Sequence, residues 1–491
     1  MSQPPSVRPP SRPGAPATPA QAPHGRTPHA AAAAGTAAPP SPQAPQPPHG
    51  PAPARRTAWA EGVHRVRAAA TTEPGRLRGL GALLAALILL FGLVTAWQVS
   101  ARQEAARAVT EHSQPLSADA ARIYRSLADA DTTAAGGFLA GGDEPRSVRQ
   151  RYEKDIAEAS ALLAKAAANS GGSRSAQQQI AALNAGLPRY TGLVESARAN
   201  NRQGLPLGGA YLRYANERMR TDLLPAARKL YTAESARLRS DYGAAREWPW
   251  FASAAGVLAL GALGWAQRRN YLRTNRVFSP GLLGATAATL AAALWLLGGH
   301  TLAATRLTAS DEKGARSLHA LNEAWIGVLQ ARGDENMTLV ARGAGSAYED
   351  SYRTQMARVA GSGAGGAVHG QLGGARALAD DAAGRKPVAD AEKAVGAWRA
   401  QHRTVRERDD SGDYEKAVSG VIGGRGSTGE SFDRVESGLE RARQHEQAQF
   451  ESAADSGRSA LTGLAAGAGV LVVLGAAAAL FGIGRRLAEY R

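Results

Sequence analysis

Four uncharged apolar stretches, at about Leu80–Trp97, Trp250–Trp265, Gly281–Gly299 and Leu461–Ile483, constrain this 491-residue chain more than any motif in it. A helix needs about 20 apolar residues to cross a bilayer core. The first, third and fourth stretches approach or meet that length, and the second is shorter but carries no charge. About 150 polar residues separate the first pair and about 160 the second, whereas only Gln267–Pro280 joins the two halves. The plan is therefore membrane helix, long polar excursion, membrane helix, written twice. It divides the chain into a tail at 1–78, membrane helices at 79–98, 249–266, 281–299 and 461–483, excursions at 99–248 and 300–460, a basic loop at 267–280 and a short end at 484–491.

Basic residues flanking the stretches set the expected orientation. The tail, the central loop and the C-terminal end carry +7, +4 and +2 of the formal net charge of +16, which leaves +3 for the two excursions. Positive residues stay on the cytoplasmic side, so both termini and the loop are expected inside the plasma membrane, with both excursions outside. Trp97, Trp248, Trp250 and Trp295 then fall at the outer interface and Trp265 at the inner one, where aromatic belts form. The basic balance is thus a topology signal. A nucleic-acid reader would concentrate charge on a folded face with reading motifs, and no nucleic-acid partner is expected. There is no cysteine, so neither disulfides nor thiolate chemistry is open to the chain.

The tail is dominated by Pro, Ala, Ser, Gln and Gly, most densely at Pro39–Pro48, and is expected to be disordered. It reads as a docking or phosphorylation tail, with a PxxP spacing at Pro10–Pro13, or as a plain spacer. The excursions are rich in Ala, Arg, Glu, Gln and Leu and poor in β-branched residues, which predicts helix almost throughout. Breaks at Gly141–Pro145, Asn169–Ser173 and Gln203–Pro206 leave four helices in the first, roughly Val99–Ala140, Arg146–Ala168, Arg174–Asn201 and Leu207–Glu247. The outer two are expected to run unbroken into the membrane, the last kinked at Pro225. The second excursion divides at Gly361–Gly374, Gly384–Pro387 and Ser411–Asp413. Tyr152 falls 200 residues before Tyr352, and Tyr190 and Trp398 each stand fourteen residues before a glycine, Gly204 and Gly412. The fold class is therefore all-α: four transmembrane helices and two extracytoplasmic four-helix bundles, a tandem duplicate.

Four antiparallel helices of which two continue through the membrane resemble the four-helix-bundle sensory modules of bacterial chemoreceptors and sensor kinases. The most family-like stretch is Arg408-Asp409-Asp410-Ser411-Gly412-Asp413-Tyr414. The whole layout of tail, four membrane helices and two outer domains is similar to the actinobacterial membrane protein family GlnX. That resemblance implies a relay from an extracytoplasmic amino-acid-binding lipoprotein to a soluble serine/threonine kinase. With no HAMP, kinase or methyl-accepting coiled coil after Ile483, output is expected to pass to a separate partner.

Motifs for chemistry fail on context. Gly361–Gly366 satisfies GxGxxG but follows no strand, as a dinucleotide site requires. Asp409, Ser411 and Asp413 begin like a calcium loop, yet Gly420 stands where the bidentate Glu is needed. His112, His300, His319, His369, His402 and His445 lack the i, i+4 pairing of a zinc helix, and solvated helix faces are their expected homes. No catalysis, cofactor or metal is expected. Membrane helices without ionisable residues also argue against transport. Gly463 and Gly467 form a GxxxG spacing suited to close helix packing, within the chain or in a homodimer. The expected function is a non-enzymatic signalling relay. Its inner contact is assigned to Arg268, Arg269, Arg273 and Arg276, and the alternative is a structural scaffold of the envelope.

Overall fold

The computed structural model describes residues 73–170, 173–274, 279–361 and 370–488. The tail up to residue 72 lies outside this set, as do Arg276, His369 and most of Gly361–Gly366; residues 73–78, expected in the tail, instead open a helix. Of the described residues 91% are helical and none is in a strand, and among them four helices are long and apolar enough to span a membrane. The chain is all-α and reads as a multi-pass membrane protein.

In the first half, α1 (Glu73–Ala108) carries the first apolar stretch, and α2 (Gln114–Leu139), α3 (Arg146–Asn169) and α4 (Arg174–Arg202) follow. The fourth leg is split into α5 (Leu207–Arg218) and α6 (Leu224–Arg246). These bounds match the four expected helices to within a few residues, because the breaking residues act locally. Ser173 caps α4 by accepting the Ala176 N–H at 3.2 Å. Gly141 and Gly204 hold φ of +77° and +68°, values that favour glycine.

The second half repeats the plan. After α7 (Trp250–Thr274) come α8 (Pro280–Ala309), α9 (Arg316–Val340), α10 (Ser346–Ala360), α11 (Gln371–Leu378) and α12 (Ala382–Asp410). The last leg comprises α13 (Tyr414–Ile422), α14 (Thr428–Leu461) and α15 (Leu464–Ala488). Here the expected boundaries need correction. One break falls at 341–345, where Arg342 and Gly343 adopt φ of 43° and 86°, and another at 423–427. The boundary placed at Gly384–Pro387 lies earlier: the Asp381 carboxylate caps α12 by accepting the Gly384 N–H at 2.7 Å, and Pro387 sits within the helix. Ser427 and Glu430 form a capping-box spacing at α14, with Glu430 reaching back to the Gly426 N–H at 2.7 Å.

Three π-helical turns interrupt the legs, at Val109–Ser113, Met219–Leu223 and Ser310–Ala315. The first two each end two residues before a proline, Pro115 and Pro225. A proline supplies no N–H to the preceding turn, and the wide turn absorbs the loss. At Pro225, where a kink is expected, the structure has this wide turn just before the proline. The third has no proline. Instead, a Cβ on Gly314 would lie 2.8 Å from the Phe450 Cβ, so the turn accompanies close approach of another helix.

Two legs do not run unbroken into the membrane stretches. Between α6 and α7 the chain is extended at Glu247–Pro249, since Pro249 supplies no N–H to the turn before it and disfavours helical geometry at Trp248. Between α14 and α15 it turns at Thr462–Gly463, with Gly463 at φ +86°. Only the first and third apolar stretches continue directly into their legs. Among the membrane helices, α1 packs on α7 and α15, and α8 packs on α15 and α7. The legs of both halves share one core, with α2 lying against α9.

Candidate functional site

Two features recur in the halves, and each explains a spacing marker. In the first half Tyr190 on α4 is fully buried and donates its hydroxyl to Asp131 Oδ1 on α2 at 3.1 Å. Asn216 Nδ2 donates to Asp131 Oδ2 at 2.6 Å. In the second half fully buried Trp398 on α12 donates Nε1–H to Glu335 Oε1 on α9 at 3.0 Å. An aromatic of the third leg thus holds a buried carboxylate of the first. Likewise a cation of the third leg stacks on the tyrosine of the second: Arg198 lies 4.2 Å over Tyr152, and His402 is stacked on Tyr352 at 3.7 Å.

The two carboxylates differ in charge environment. Burial pushes Asp131 up to about 6, against the hydrogen bonds from Asn216 and Tyr190. Burial would raise Glu335 too, but Arg332 and His402 hold it below the usual range. Burial would also depress His402. Its Nδ1–H to Glu335 (2.8 Å) and Nε2–H to Glu349 (3.1 Å) outweigh that and push it up to about 9. His402 is 4% exposed and His300 is 2% exposed. The expectation of solvated faces fails for both, because spacing reports ligand pairing and not burial. Asp409 and Asp413 are ion-paired with Arg406 and Lys416 in a helix-ending turn.

Between the halves, polar contacts and cavities accompany the shared apolar core. Arg220 reaches Asp334 at 2.7 Å, Asn336 Nδ2 donates to the Thr132 carbonyl at 3.0 Å, and Gln330 Nε2 donates to the Tyr124 hydroxyl at 2.8 Å. Arg125 bonds Asn322 and lies 4.7 Å over Trp325. Arg151 ties Asp129 to Glu436 across the seam. A cavity of about 500 Å³ opens among α2, α6, α9 and α14, lined by Arg122, Arg125, Arg239, Arg246, Arg316 and Arg443 beside Leu238, Leu318 and the Tyr231–His319 stack. Its size suits a small ligand. A smaller polar cavity of about 180 Å³ lies where α2, α5, α9 and α10 meet.

A collar of polar contacts joins the four legs where they reach the apolar stretches. Arg102 Nε donates to the Glu247 carbonyl at 2.7 Å, and Ala252 N–H donates to Gln98 Oε1 at 2.8 Å. Tyr242 and Ser310 hydroxyls share a 2.7 Å bond, while Ser310 also donates to the Phe450 carbonyl at 3.3 Å. Arg246 pairs with Asp311 at 3.1 Å, and Gln103 Nε2 donates to the Leu461 carbonyl at 2.5 Å. Movement of one leg is therefore felt by the others at this level.

Residues 105–243 match the family model of the actinobacterial sensor domain. The match begins on α1, just past the first apolar stretch, and ends on α6, before the second, so it coincides with the legs of the first half. The match fits a sensing role for this part of the chain. No curated protein and no solved structure matches the chain.

The residues singled out from sequence are scattered. Arg268 is exposed at the end of α7; Arg269 is half-buried, 5.2 Å over the Trp265 ring. Arg273 is in the last turn of α7 with its side chain outside the described set, and Arg276 lies outside the described residues. Gly463 is in the non-helical turn with open space around it, and a Cβ on Gly467 would meet Trp295 Nε1 at 2.7 Å. The close backbone crossing of membrane helices lies elsewhere, at Gly281 and Gly482, where a Cβ on either would overlap the other backbone. Sequence reasoning missed Asp131, Arg220, Asp334 and Glu335, and put His402 on a solvated face. The available signal was the run Arg332–Asn336, charged or polar at four of five positions inside the mostly apolar stretch Ala324–Val340.

Proposed function

We propose that this protein is a non-enzymatic membrane signalling relay. The observation that carries the reading is the coincidence of the sensor-domain match with legs that enter two membrane helices, joined by the collar to the legs of the other two. An outside event that changes how the halves pack alters the legs, and the collar hands that change to the membrane helices. A ligand drives such a change only by binding two packings differently, and the seam between the halves offers cavities for it.

The solute is an amino acid, delivered by a solute-binding lipoprotein or bound directly. The basic flanks support a reading with the excursions outside the plasma membrane and both termini in the cytoplasm. Inside, the tail and the Arg268–Arg276 loop engage a serine/threonine kinase. Crosslinking in native membranes, then capture of the chain and mass spectrometry, is expected to recover both a solute-binding protein and a kinase. Replacing Arg268, Arg269, Arg273 and Arg276 by Gln is expected to reduce kinase recovery in correctly inserted protein. Recovery of envelope-assembly proteins alone contradicts the relay.

A further inference from the structure

The cavity of about 500 Å³ at the seam carries more positive charge than its acids answer. Four of its six arginines stand beside a carboxylate: Arg122 pairs with Glu158, Arg246 with Asp311, Arg316 with Glu312 and Arg443 with Glu440. Arg125 and Arg239 have no acid partner among the described residues. Glu440, whose charge Arg125 feels, is taken by Arg443 through both oxygens, at 2.9 and 2.7 Å. Burial and the neighbouring charges of Arg443 and Arg122 pull Arg125 down to about 10, which leaves it protonated at neutral pH. Burial also lowers His319, so the ring adds no charge there.

The two unanswered guanidiniums belong to opposite ends of the cavity. The Ser117–Ser235 bond (3.0 Å) and the Asn216–Asp131 bond (2.6 Å) set α2 antiparallel to the leg that contains α6. From the level of the two serines, Arg125 stands two turns along α2 and Arg239 one turn along α6, in opposite directions. At 1.5 Å per residue their Cα atoms are offset by about 18 Å along the axes, a gap that side chains reaching inward shorten. Between them the wall carries Tyr231 and Leu238, with His319 stacked on the tyrosine and Leu318 next to it. The neutral polar groups of the wall pair among themselves, Gln114 with Gln447 at 3.0 Å and Tyr231 with His319 at 2.6 Å. Arg125 makes one hydrogen bond, to Asn322, and its other nitrogens are unpartnered and open to solvent. Arg239 is exposed and bonds nothing among the described residues.

We propose that this cavity binds an organic dianion with an anionic group at each end of an apolar chain, one held by Arg125 and the other by Arg239. A guanidinium presents forked N–H donors that match a carboxylate, and two negative charges answer the two arginines left over. The volume lies in the range of small-ligand pockets and admits a chain of several carbons along the tyrosine and leucines. A compact dianion would leave one arginine unanswered, and an amino acid with a neutral side chain brings no net charge. The guest is thus a further ligand, beside the solute of the relay. Since α9 and α14 supply the wall from the second half, occupancy favours the packing in which the halves meet. That consequence rests on the relay reading; the binding itself does not.

The test is calorimetry and thermal melting of the full chain in nanodiscs of zwitterionic lipid. Octanedioate is the probe. Its comparisons are octanoate, with the same chain and one charge, octanediamine, with the opposite charges, and sodium sulfate at matched ionic strength, a compact dianion. Saturable binding of octanedioate that raises the melting temperature is expected, with octanoate about tenfold weaker and no saturable response to the diamine or to sulfate. Arg125 is packed on Trp325, so its removal disturbs the seam itself. Arg239 is exposed and bonds nothing, so Arg239→Gln leaves the fold intact and is expected to bring octanedioate to the affinity of octanoate. No saturable binding of octanedioate, equal affinity for octanoate, an equal response to the diamine or sulfate, or unchanged octanedioate binding by Arg239→Gln overturns the proposal. Binding without any change at the far ends of the membrane helices would overturn the relay and leave the site standing.

Discussion

At the residue scale, the second half turns on Glu335, which accepts from Arg332, Trp398, His402 and Thr428 while 1% exposed. Removing one partner of a buried charged set leaves the others uncompensated, at about 3–5 kcal/mol. Glu335→Gln is expected to destabilise the protein by about 3 kcal/mol in denaturant melts. Its partner His402 gives a pH dependence. A histidine raised in the folded state to about 9, from its usual value near 6.5, contributes stability that is full below the lower value and is lost as pH rises through the higher one. Melting temperature is therefore expected to fall between those limits in the wild type and to fall less in His402→Asn. In the first half, Tyr190→Phe removes a donor that holds Asp131 down. It is expected to cost about 1 kcal/mol and to move the Asp131 titration above about 6, read by carboxyl NMR.

At the element scale, the wide turns and chain breaks set where the legs can bend. Gly314 abuts Phe450 at the third π turn, so Gly314→Ala overpacks that contact and is expected to cost about 1–3 kcal/mol in thermal melts. Helix boundaries in the first half were readable because their causes are local: Gly141, Gly204 and the Ser173 cap announce themselves in a few residues. Pro225 marked the place of its wide turn in the same way. The turn at Ser310–Ala315 did not, because its accompaniment is contact with Phe450, about 140 residues later. The Gly281–Gly482 crossing was hidden for the same reason. A GxxxG spacing at Gly463 and Gly467 was visible, but spacing along one helix does not say which neighbour arrives or whether the helix is unbroken there.

At the scale of the whole molecule, the four apolar stretches declared the architecture, whereas the seam between the halves stayed out of sight. Tyr190 and Trp398 stood out by their equal distance from Gly204 and Gly412. Their partners Asp131 and Glu335 did not, since acids are common on solvated helix faces and burial of both faces of α2 and α9 arises only when the halves meet. In the proposed relay, packing at this seam governs the far ends of the membrane helices. The absence of native cysteine makes the claim directly testable. A Cβ on Gly333 would lie 3.4 Å from Thr132 Oγ1, so Thr132→Cys with Gly333→Cys places two thiols to lock the seam. Spin labels attached through non-canonical residues at positions 268 and 485 report the separation of two far ends by double electron–electron resonance. Oxidation is predicted to shift or narrow the distance distribution and reduction to restore it; an identical distribution in both states would contradict the relay.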